Sequence, residues 1–237
     1  MLQRLPSSSV DLLALPTRDL LSAFGSGLPT PGSGSAAALN GALACALIQT
    51  SAKLTLAKAH GDSRRVAESQ YILDQLKPRS VRLQKLVQQD NDLFEALIAS
   101  RRARDASTTS RDRDRHSARA RRQTKRATEI ALKTAQECVA ISRLGLTMVQ
   151  IGYRAAKGDP AGGTSNALAG AQGAACAALV NLRTSRGATW TVKTCSELQN
   201  VISEMLFIQA ELMKAMMGLN QEATEALRTM DEQPLLL

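Results

Sequence analysis

Residues 29–48 read PTPGSGSAAALNGALACALI, a loop of prolines and glycines that leads directly into a helix-forming stretch. Alanine and leucine favour helix, and the two prolines exclude a central β-strand just before the glycines. Ser35 has the side chain of a helix N-cap, so the sequence predicts an Ala-rich helix from about Ala36 to Lys58. The helix N-terminus would offer unpaired backbone N–H groups beside a Gly-rich loop, which is a common design for a binding site.

The string GSGSAA over residues 32–37 also fits the relaxed dinucleotide-binding pattern G-x-G-x-x-A. That pattern requires a buried strand before the glycines and an acidic residue after the next strand. Prolines at positions 29 and 31 exclude such a strand, and no Gly-Lys-Ser/Thr follows to form a phosphate-binding Walker A loop. Nucleotide binding at this loop is therefore not favoured.

Helical periodicity continues through most of the remaining chain. Between residues 64 and 100, apolar residues recur at spacings of three, four and seven, although Pro78 is expected to kink or interrupt this helix. A second Gly-rich stretch, residues 152–163, predicts a turn and loop before an Ala-rich helix from about Asn166 to Leu182. A last helix is expected from Trp190 towards Leu227. With aromatic residues at only 3%, we predict an all-α fold: a bundle of five to six main helices with two Gly-rich loops.

We expect a single helical domain over residues 17–227, preceded by an N-terminal arm (1–16) and followed by a C-terminal tail (228–237). The net charge is +9, and residues 101–126 alone carry eleven Arg/Lys and three Asp. This basic segment lacks an apolar stripe, so its middle is expected to be a loop or disordered. A single basic segment on a nearly neutral body indicates a local patch rather than a protein that is basic throughout.

Several classes of protein are disfavoured by composition. No run of 18 apolar residues occurs, so no membrane span is expected, and without a signal peptide the cytoplasm is the expected location. The four cysteines form no CxxC pair and the two histidines form no cluster, so we expect no metal site. Nucleic-acid binding through residues 101–126 is the least favoured alternative, because no aromatic side chain interrupts the basic run for base stacking.

The stretch from residue 29, together with GAL at 41–43, LT at 54–55 and Lys58, resembles the opening of the cyclodeaminase/cyclohydrolase family. That family reads roughly PTPGGGSAAAL, GAL, LT and GK at these spacings. Ser33 replaces the middle glycine and Ala57 replaces the glycine before the lysine. Both replacements are small, so the loop is expected to be retained.

The resemblance extends over roughly residues 17–215. Residues 86–94, LVQQDNDLF, are similar to the family segment LVDxDAxAF, with Asp90 and Phe94 at matching positions. Residues 152–159, GYRAAKGD, align with the family's GNxxxxSD and place Asp159 on its characteristic aspartate. Asn181 then falls in the family's GAxxNVxINL motif. Tyr153 and Gly158 depart from the family pattern, so the match is weaker here than at the first loop.

The resemblance implies an enzyme that acts on one-carbon units carried by tetrahydrofolate, with a tetrahydrofolate derivative as its substrate and no metal or nicotinamide. It implies catalytic roles for Asp159 and Lys58, and folate contacts for Gly32, Ser33, Gly34, Ser35, Asp90 and Asn181. Without the resemblance, the simplest interpretation is structural. Lys58 would then interact favourably with the helix dipole at a helix C-terminus, and Asp159 would be a turn or cap residue. Asp90 would then be solvated, and Asn181 would hydrogen-bond to backbone.

Family members catalyse one of two reactions at the N5–N10 bridge of the folate. A cyclohydrolase adds water to 5,10-methenyl-tetrahydrofolate, and a cyclodeaminase closes 5-formimino-tetrahydrofolate with release of ammonia. The chain shows no formyl- or formimidoyl-transfer segment, so cyclohydrolase is the first expectation and cyclodeaminase the alternative. In either case a carboxylate could stabilise positive charge or orient water, and a lysine could protonate a leaving nitrogen. A catalytically inactive folate-binding or assembly protein is the third possibility.

The resemblance also implies a homodimer with the site near the subunit contact. Cellular folates carry a tail of γ-linked glutamates, and arginine pairs well with carboxylates. One hypothesis therefore assigns this polyglutamate tail to several residues of the basic segment acting together, to be tested by changing Arg113, Arg115, Arg119, Arg121 and Arg122 to Ser. The alternative is that the basic segment is a solvated part of the surface that binds no ligand.

Overall fold

A computed structural model describes residues 10–59, 61–185, 187 and 189–231. These residues form six α-helices and include no β-strand, so the all-α prediction is confirmed. No helix in the described part of the chain is long and apolar enough to cross a membrane. The helices are α1 (Thr17–Phe24), α2 (Ser33–Lys58), α3 (Ser63–Asp105), α4 (Ser110–Ile151), α5 (Gly158–Arg183) and α6 (Trp190–Asp231).

Helices α2, α3, α4 and α5 form a four-helix bundle in which neighbours in sequence run antiparallel. Helix α5 returns beside α2, and α6 packs against the outside of α4 and α5. One continuous core fills the bundle, and its largest fully buried side chains include Ile48, Leu76, Leu83, Ile141 and Met148. The apolar periodicity read from the sequence is thus the inward face of each long helix.

Glycine allows α2 to approach its neighbours closely. A Cβ atom at Gly41 would lie 2.7 Å from Cys138 Sγ in α4, and one at Gly170 would lie 2.7 Å from the Ala37 carbonyl oxygen in α2. A Cβ at Gly163 would lie 2.8 Å from Ile48 Cγ1. Because real Cβ atoms need more room, these positions accept only glycine at the present helix separation.

The antiparallel register leaves α3 and α4 longer than the bundle at one end. Gly34 lies level with Asp90, so residues 93–105 of α3 extend about 20 Å beyond the start of α2. Gly145 and Thr164 are in contact between α4 and α5, which places the end of α5 roughly level with residue 126 of α4. We call residues 93–126 the α3/α4 projection. Nearly the whole basic segment lies in it.

The basic segment is helical except at residues 106–109, where α3 ends and α4 begins. The expected loop or disordered middle is therefore reduced to a four-residue turn. Thr109 explains the difference: its Oγ1 accepts a hydrogen bond from the Asp112 backbone N–H at 3.1 Å. This N-cap starts α4 immediately after the turn, and the pattern Thr-x-x-Asp was visible in the sequence.

Three further helix boundaries differ from the sequence-based expectations. Helix α3 continues through Pro78 without interruption. Helix α5 begins at Gly158 rather than near Asn166, so much of the second Gly-rich stretch is helical. Ser35 is not an N-cap, because Gly32 occupies that position and Ser35 lies in the first turn of α2.

The chain termini lie only partly within the described residues. In the N-terminal arm, residues 1–9 fall outside them, and Leu12 in a short 3-10 turn is buried against the core. The Leu12 backbone N–H donates a hydrogen bond to Gln88 Oε1 at 3.0 Å, which fixes the turn against α3. In the C-terminal tail, α6 continues to Asp231 and residues 232–237 fall outside the described range.

A buried carboxylate joins α3 to α4. The Glu137 side chain is 3% exposed, and it receives Arg79 Nη1 at 2.6 Å, Arg82 Nε at 3.0 Å and Lys133 Nζ at 3.0 Å. Burial alone would raise the pKa of Glu137, but hydrogen bonds from Arg82, Lys133 and Arg79 outweigh it and hold this pKa at about 2. The cluster is a structural ion-pair network far along the bundle from the α3/α4 projection.

We predict that Glu137→Gln destabilises the protein at neutral pH by about 3 kcal/mol, because three cations lose their shared carboxylate. A depressed carboxyl pKa stabilises the native state above the unfolded-state pKa of about 4.5, and this contribution is lost as pH falls towards 2. Urea unfolding at pH 7 and at pH 3 should therefore show a smaller difference between variant and wild type at the lower pH. Equal differences at both values would contradict the assignment.

Candidate functional site

A cavity of about 400 Å³ opens at the end of the bundle where α2 begins and α5 ends. Helices α3 and α4 form its back wall as they enter the α3/α4 projection. The loop before α2 and the first turn of α2 form one side, and the last turns of α5 form the other. The lining residues are Pro29, Gly32, Ser33, Gly34, Asp90, Phe94, Arg101, Ala127, Ala131, Gly173, Cys176, Ala177, Val180, Asn181 and Thr184.

Asp90 is the acidic group that lines this cavity, and it is half-buried. Ser35 Oγ lies 3.0 Å from Asp90 Oδ2 and 2.9 Å from the Val87 carbonyl oxygen, so its single proton can be donated to either. Burial raises the pKa of Asp90 above its ordinary value of 3.8, while hydrogen bonds from the Ser35 hydroxyl and backbone N–H oppose part of that rise. A carboxyl with a raised pKa in a cavity is suited to proton transfer.

The position of Asp90 depends on the missing side chain of Gly34. A Cβ atom at Gly34 would lie 2.5 Å from Asp90 Cγ and 2.6 Å from Asp90 Oδ2. The carboxylate therefore rests against the N-terminus of α2, where the N-cap Gly32 provides no side-chain hydrogen bond. Unpaired N–H groups and the helix dipole favour a negative charge there.

The other walls of the cavity are mainly apolar, with polar groups at two places. Phe94, Ala127, Ala131, Ala177 and Val180 provide flat, uncharged surface. Two lining side chains, the Asn181 amide and the half-buried guanidinium of Arg101, form no hydrogen bond or ion pair with any described residue. Such a cavity has few polar groups and much apolar surface, as small-molecule sites commonly do.

The structure brings together most of the residues expected to contact folate. Gly32, Ser33, Gly34, Asp90 and Asn181 all line the cavity, although they come from three different helices and the loop before α2. Ser35 is fully buried behind the wall and touches the cavity only through Asp90. In this fold Asp90 is not a solvated surface carboxylate.

The two residues expected to be catalytic lie at the other end of the bundle. Lys58 is the last residue of α2, about 39 Å along the helix from Gly32, and Asp159 is in the first turn of α5, about 33 Å from Asn181. The structure therefore does not bring Lys58 and Asp159 to this cavity within one chain. Within the described residues, neither side chain has a hydrogen-bond or ion-pair partner.

Arg101, Cys176 and Thr184 line the cavity but were not expected from the sequence. Arg101 follows Asp90 by eleven residues, which is about three helical turns, so both residues face the same way. The sequence shows this spacing, but it does not distinguish Arg101 as a site residue from the other ten basic residues of the segment. Nothing in the sequence marks Cys176 or Thr184 as a site residue. They reach the cavity only because α5 packs antiparallel to α2.

A wider groove of about 620 Å³ runs between α3 and α4 on the outside of the bundle. Three of its four charged groups have partners: Lys133 pairs with Glu137 at 3.0 Å, Glu129 lies 3.8 Å from Lys125, and Asp92 accepts a hydrogen bond from Gln88 Nε2 at 2.7 Å. Its two carboxylates, Asp92 and Glu129, are exposed, unlike the half-buried carboxyl of Asp90. We therefore place the candidate site in the smaller cavity at Asp90.

The cysteines and histidines provide no cluster for a metal ion. Among the residues that the structure describes, no group of three or more His, Cys, Asp or Glu is arranged to hold one. Cys45 and Cys138 are buried in the core, and burial raises the pKa of the Cys45 thiol to about 12. Cys176 and Cys195 are exposed.

Comparisons with known proteins agree with this fold. A family model described as formiminotransferase-cyclodeaminase matches residues 16–200. The solved structure of formiminotetrahydrofolate cyclodeaminase from Thermotoga maritima has a TM-score of 0.75 and 18% sequence identity, over 88% of this chain and 98% of that one. No curated protein matches the sequence. Because the family model spans well over half of the residues, the chain belongs to the formiminotransferase-cyclodeaminase family.

Proposed function

We propose that this protein is a folate-processing enzyme that closes 5-formimino-tetrahydrofolate to the 5,10-methenyl form with release of ammonia. The observation that carries the proposal is the half-buried carboxyl of Asp90, with its raised pKa, in a largely apolar cavity at the N-terminus of α2. The family description and the similar solved structure both name cyclodeaminase. They favour this reaction over water addition by a cyclohydrolase, which was the first expectation from the sequence.

The shape of the cavity suits a folate. The pterin is a flat heteroaromatic ring with hydrogen-bonding edges, and apolar walls from Phe94, Ala177 and Val180 offer surface on which it can lie. Backbone at Gly32 is open to close approach, because no side chain intervenes and an added Cβ would meet only the Pro29 carbonyl oxygen, at 3.4 Å. The Asn181 amide can donate and accept hydrogen bonds at a ring edge.

The reaction requires one bond to form, one to break and a proton to move. N10 attacks the carbon of the protonated formimino group and forms the new C–N bond, which gives a tetrahedral carbon that bears an NH2 group between N5 and N10. N10 then loses its proton, the departing nitrogen gains one, and the old C–N bond breaks to release ammonia. We assign the acceptance of the N10 proton to the Asp90 carboxylate, which also stabilises the cationic carbon.

A second copy of the chain would bring the remaining expected residues to the site. Residues 33–52 of α2 and 160–182 of α5 contain no charged residue, yet the outward faces of these neighbouring helices expose Leu43, Leu54 and Leu179. We propose that this surface, the α2/α5 face, forms a two-fold dimer contact. An antiparallel arrangement would bring Lys58 and Asp159 of each chain towards the cavity of the other.

In that dimer, the proposed roles of Lys58 and Asp159 are retained. Lys58 would protonate the departing nitrogen, and Asp159 would stabilise positive charge on the substrate opposite Asp90. Homodimer formation and these roles rest on the same geometric condition, namely that the cavity of one chain lies beside the far helix ends of its partner. One experiment can therefore address both.

Asp90→Asn is predicted to lower the rate of ammonia release from 5-formimino-tetrahydrofolate by roughly 10²-fold, the usual effect of losing a positioned base. Stability at pH 7 should change little, because the raised pKa means that the charged form is disfavoured by folding. In the wild type, kcat/KM should fall as Asp90 becomes protonated, with an apparent pKa above 3.8, and the variant should lack this acid limb.

The same assay separates the candidate reactions. Formation of methenyl absorbance together with ammonia supports the cyclodeaminase. Loss of methenyl absorbance from 5,10-methenyl-tetrahydrofolate without ammonia would instead identify the cyclohydrolase. Wild-type protein that binds folate but performs neither reaction would identify an inactive member of the family, and an Asp90→Asn variant with full activity would remove Asp90 from the mechanism.

Gly34→Ala is predicted to lower activity at least tenfold, because the new methyl group occupies the space of the Asp90 carboxylate and forces it to turn away. The matched control is Gly218→Ala in α6, outside the α2/α5 face, where an added Cβ meets no atom within 4 Å. The control should keep full activity and gain up to about 1 kcal/mol of stability. Equal activity of the two variants would contradict the proposed packing of Asp90 against Gly34.

Mixing two inactive variants is predicted to restore activity if the site is shared between subunits. Asp90→Asn and Asp159→Asn homodimers should each be nearly inactive, but a heterodimer contains one site with both native residues. After subunit exchange, about a quarter of wild-type activity is expected. Activity no higher than the sum of the separate variants, or a fully active Asp159→Asn homodimer, would contradict the shared site.

The dimer contact can be tested with one disrupting variant and one matched control. Leu43→Glu introduces a charge into the α2/α5 face and should reduce the mass in solution from twice 25.3 kDa to the monomer value. Val192→Glu introduces the same charge at an exposed apolar position of α6 and should leave the mass unchanged. Wild-type protein that is monomeric at micromolar concentration would exclude the dimer.

A further inference from the structure

Arg101 extends the candidate site along α3, away from Asp90. Its side chain lines the same cavity, and the spacing of about three turns places it on the same face of the helix as Asp90 and Phe94. The rise of α3 between Asp90 and Arg101 is about 16 Å. The cavity thus has an acidic end on the bundle and a basic end on the α3/α4 projection, with the Phe94 ring between them.

Arg101 differs from its basic neighbours in being half-buried without a partner. Among the eleven basic residues of the segment, the only other half-buried one is Arg104, which pairs with Asp105 at 2.8 Å. Arg101 is half-buried, and no described residue forms a hydrogen bond or ion pair with it. A partly desolvated guanidinium without a partner is unfavourable, and a ligand carboxylate would satisfy it with two parallel hydrogen bonds.

The arginines of α4 do not share this position. Ala127 and Ala131 are the α4 residues that line the cavity. At 100° per residue, a regular stripe of α4 arginines points about 140° away from these two alanines, towards the outer side of the projection. The stripe consists of Arg111, Arg115, Arg119, Arg122 and Arg126. Three of the five arginines chosen to test the polyglutamate hypothesis, Arg115, Arg119 and Arg122, belong to this stripe and therefore point away from the cavity.

We infer that Arg101 binds the α-carboxylate of the glutamate that follows the p-aminobenzoate ring of a folate. The inference rests on the proposed folate-processing function and specifies how the substrate lies in the cavity. The pterin and the N5–N10 bridge lie at the Asp90 end, the p-aminobenzoate ring lies near Phe94, and the glutamate lies at Arg101. Because γ-linkage leaves this α-carboxylate free, Arg101 recognises monoglutamyl and polyglutamyl folates alike.

The test compares two ligands and three proteins. The ligands are 5-formyl-tetrahydrofolate and the carboxamide of 5-formyl-tetrahydropteroate, in which an uncharged amide group replaces the glutamate and no new carboxylate is introduced. The proteins are wild type, Arg101→Gln and Arg102→Gln, and circular dichroism melting confirms that both variants fold. Arg102 is the matched control because it carries the same charge on the same helix, is exposed, and does not line the cavity.

Wild type and Arg102→Gln should bind the folate more tightly than the carboxamide, by a factor on the order of 10–100, as expected for a charge-assisted hydrogen-bond pair. Arg101→Gln should bind both ligands with similar affinity, close to that of wild type for the carboxamide. Equal affinity of wild type for both ligands would overturn the role of Arg101 and leave the folate site intact. Equal loss of preference in both variants would also overturn it, by showing only a general charge effect. Failure of wild type to bind either ligand would overturn the proposed function itself.

Discussion

The close approach of α2 to its neighbours is the constraint on which the rest of this structure depends. Gly41 admits Cys138 and Leu83, and Gly163 and Gly170 of α5 admit Ile48 and Ala37 of α2. These contacts fix both the separation and the register of the helices, since a slip of one residue would place a side chain where none fits. The register then brings Gly34 against Asp90 and the end of α5 against the start of α2. The cavity is a product of that alignment.

Charge is distributed along the same architecture. The central parts of α2 and α5 carry no charged residue, whereas eleven basic residues are concentrated between residues 101 and 126. The first arrangement permits close helix packing and leaves apolar surface exposed. The second lies where α3 and α4 have separated from the other helices and only need to pack against each other. The net charge of +9 is thus mostly a property of one end of the molecule.

The fold could be predicted from sequence because each helix carries its own apolar periodicity, and the first loop carries a long and specific family motif. Local signals also explain two differences from the expected helices: the Thr109 N-cap limits the loop in the basic segment to four residues, and α5 begins at Gly158 although the glycines after residue 157 predict a loop. The site was harder to predict. The motif named Gly32, Asp90 and Asn181, but only the tertiary register shows that they meet. The family motifs place Lys58 and Asp159 with the same site as Gly32. They do not show that Lys58 lies at the opposite end of the 26-residue helix α2 from Gly32.

The α3/α4 projection gives the cavity two walls of unequal local stability. At the bundle, Asp90 is backed by Val87 and the main core. In the projection, Leu97 is the one large apolar side chain that is buried, and the other buried residues, Ser100, Ala120, Gln123 and Thr124, are small or polar. Less apolar area is buried there than in the bundle, so opening this segment costs less free energy than unfolding the bundle. Local fluctuations of the projection can therefore widen the entrance to the cavity while the Asp90 end keeps its geometry.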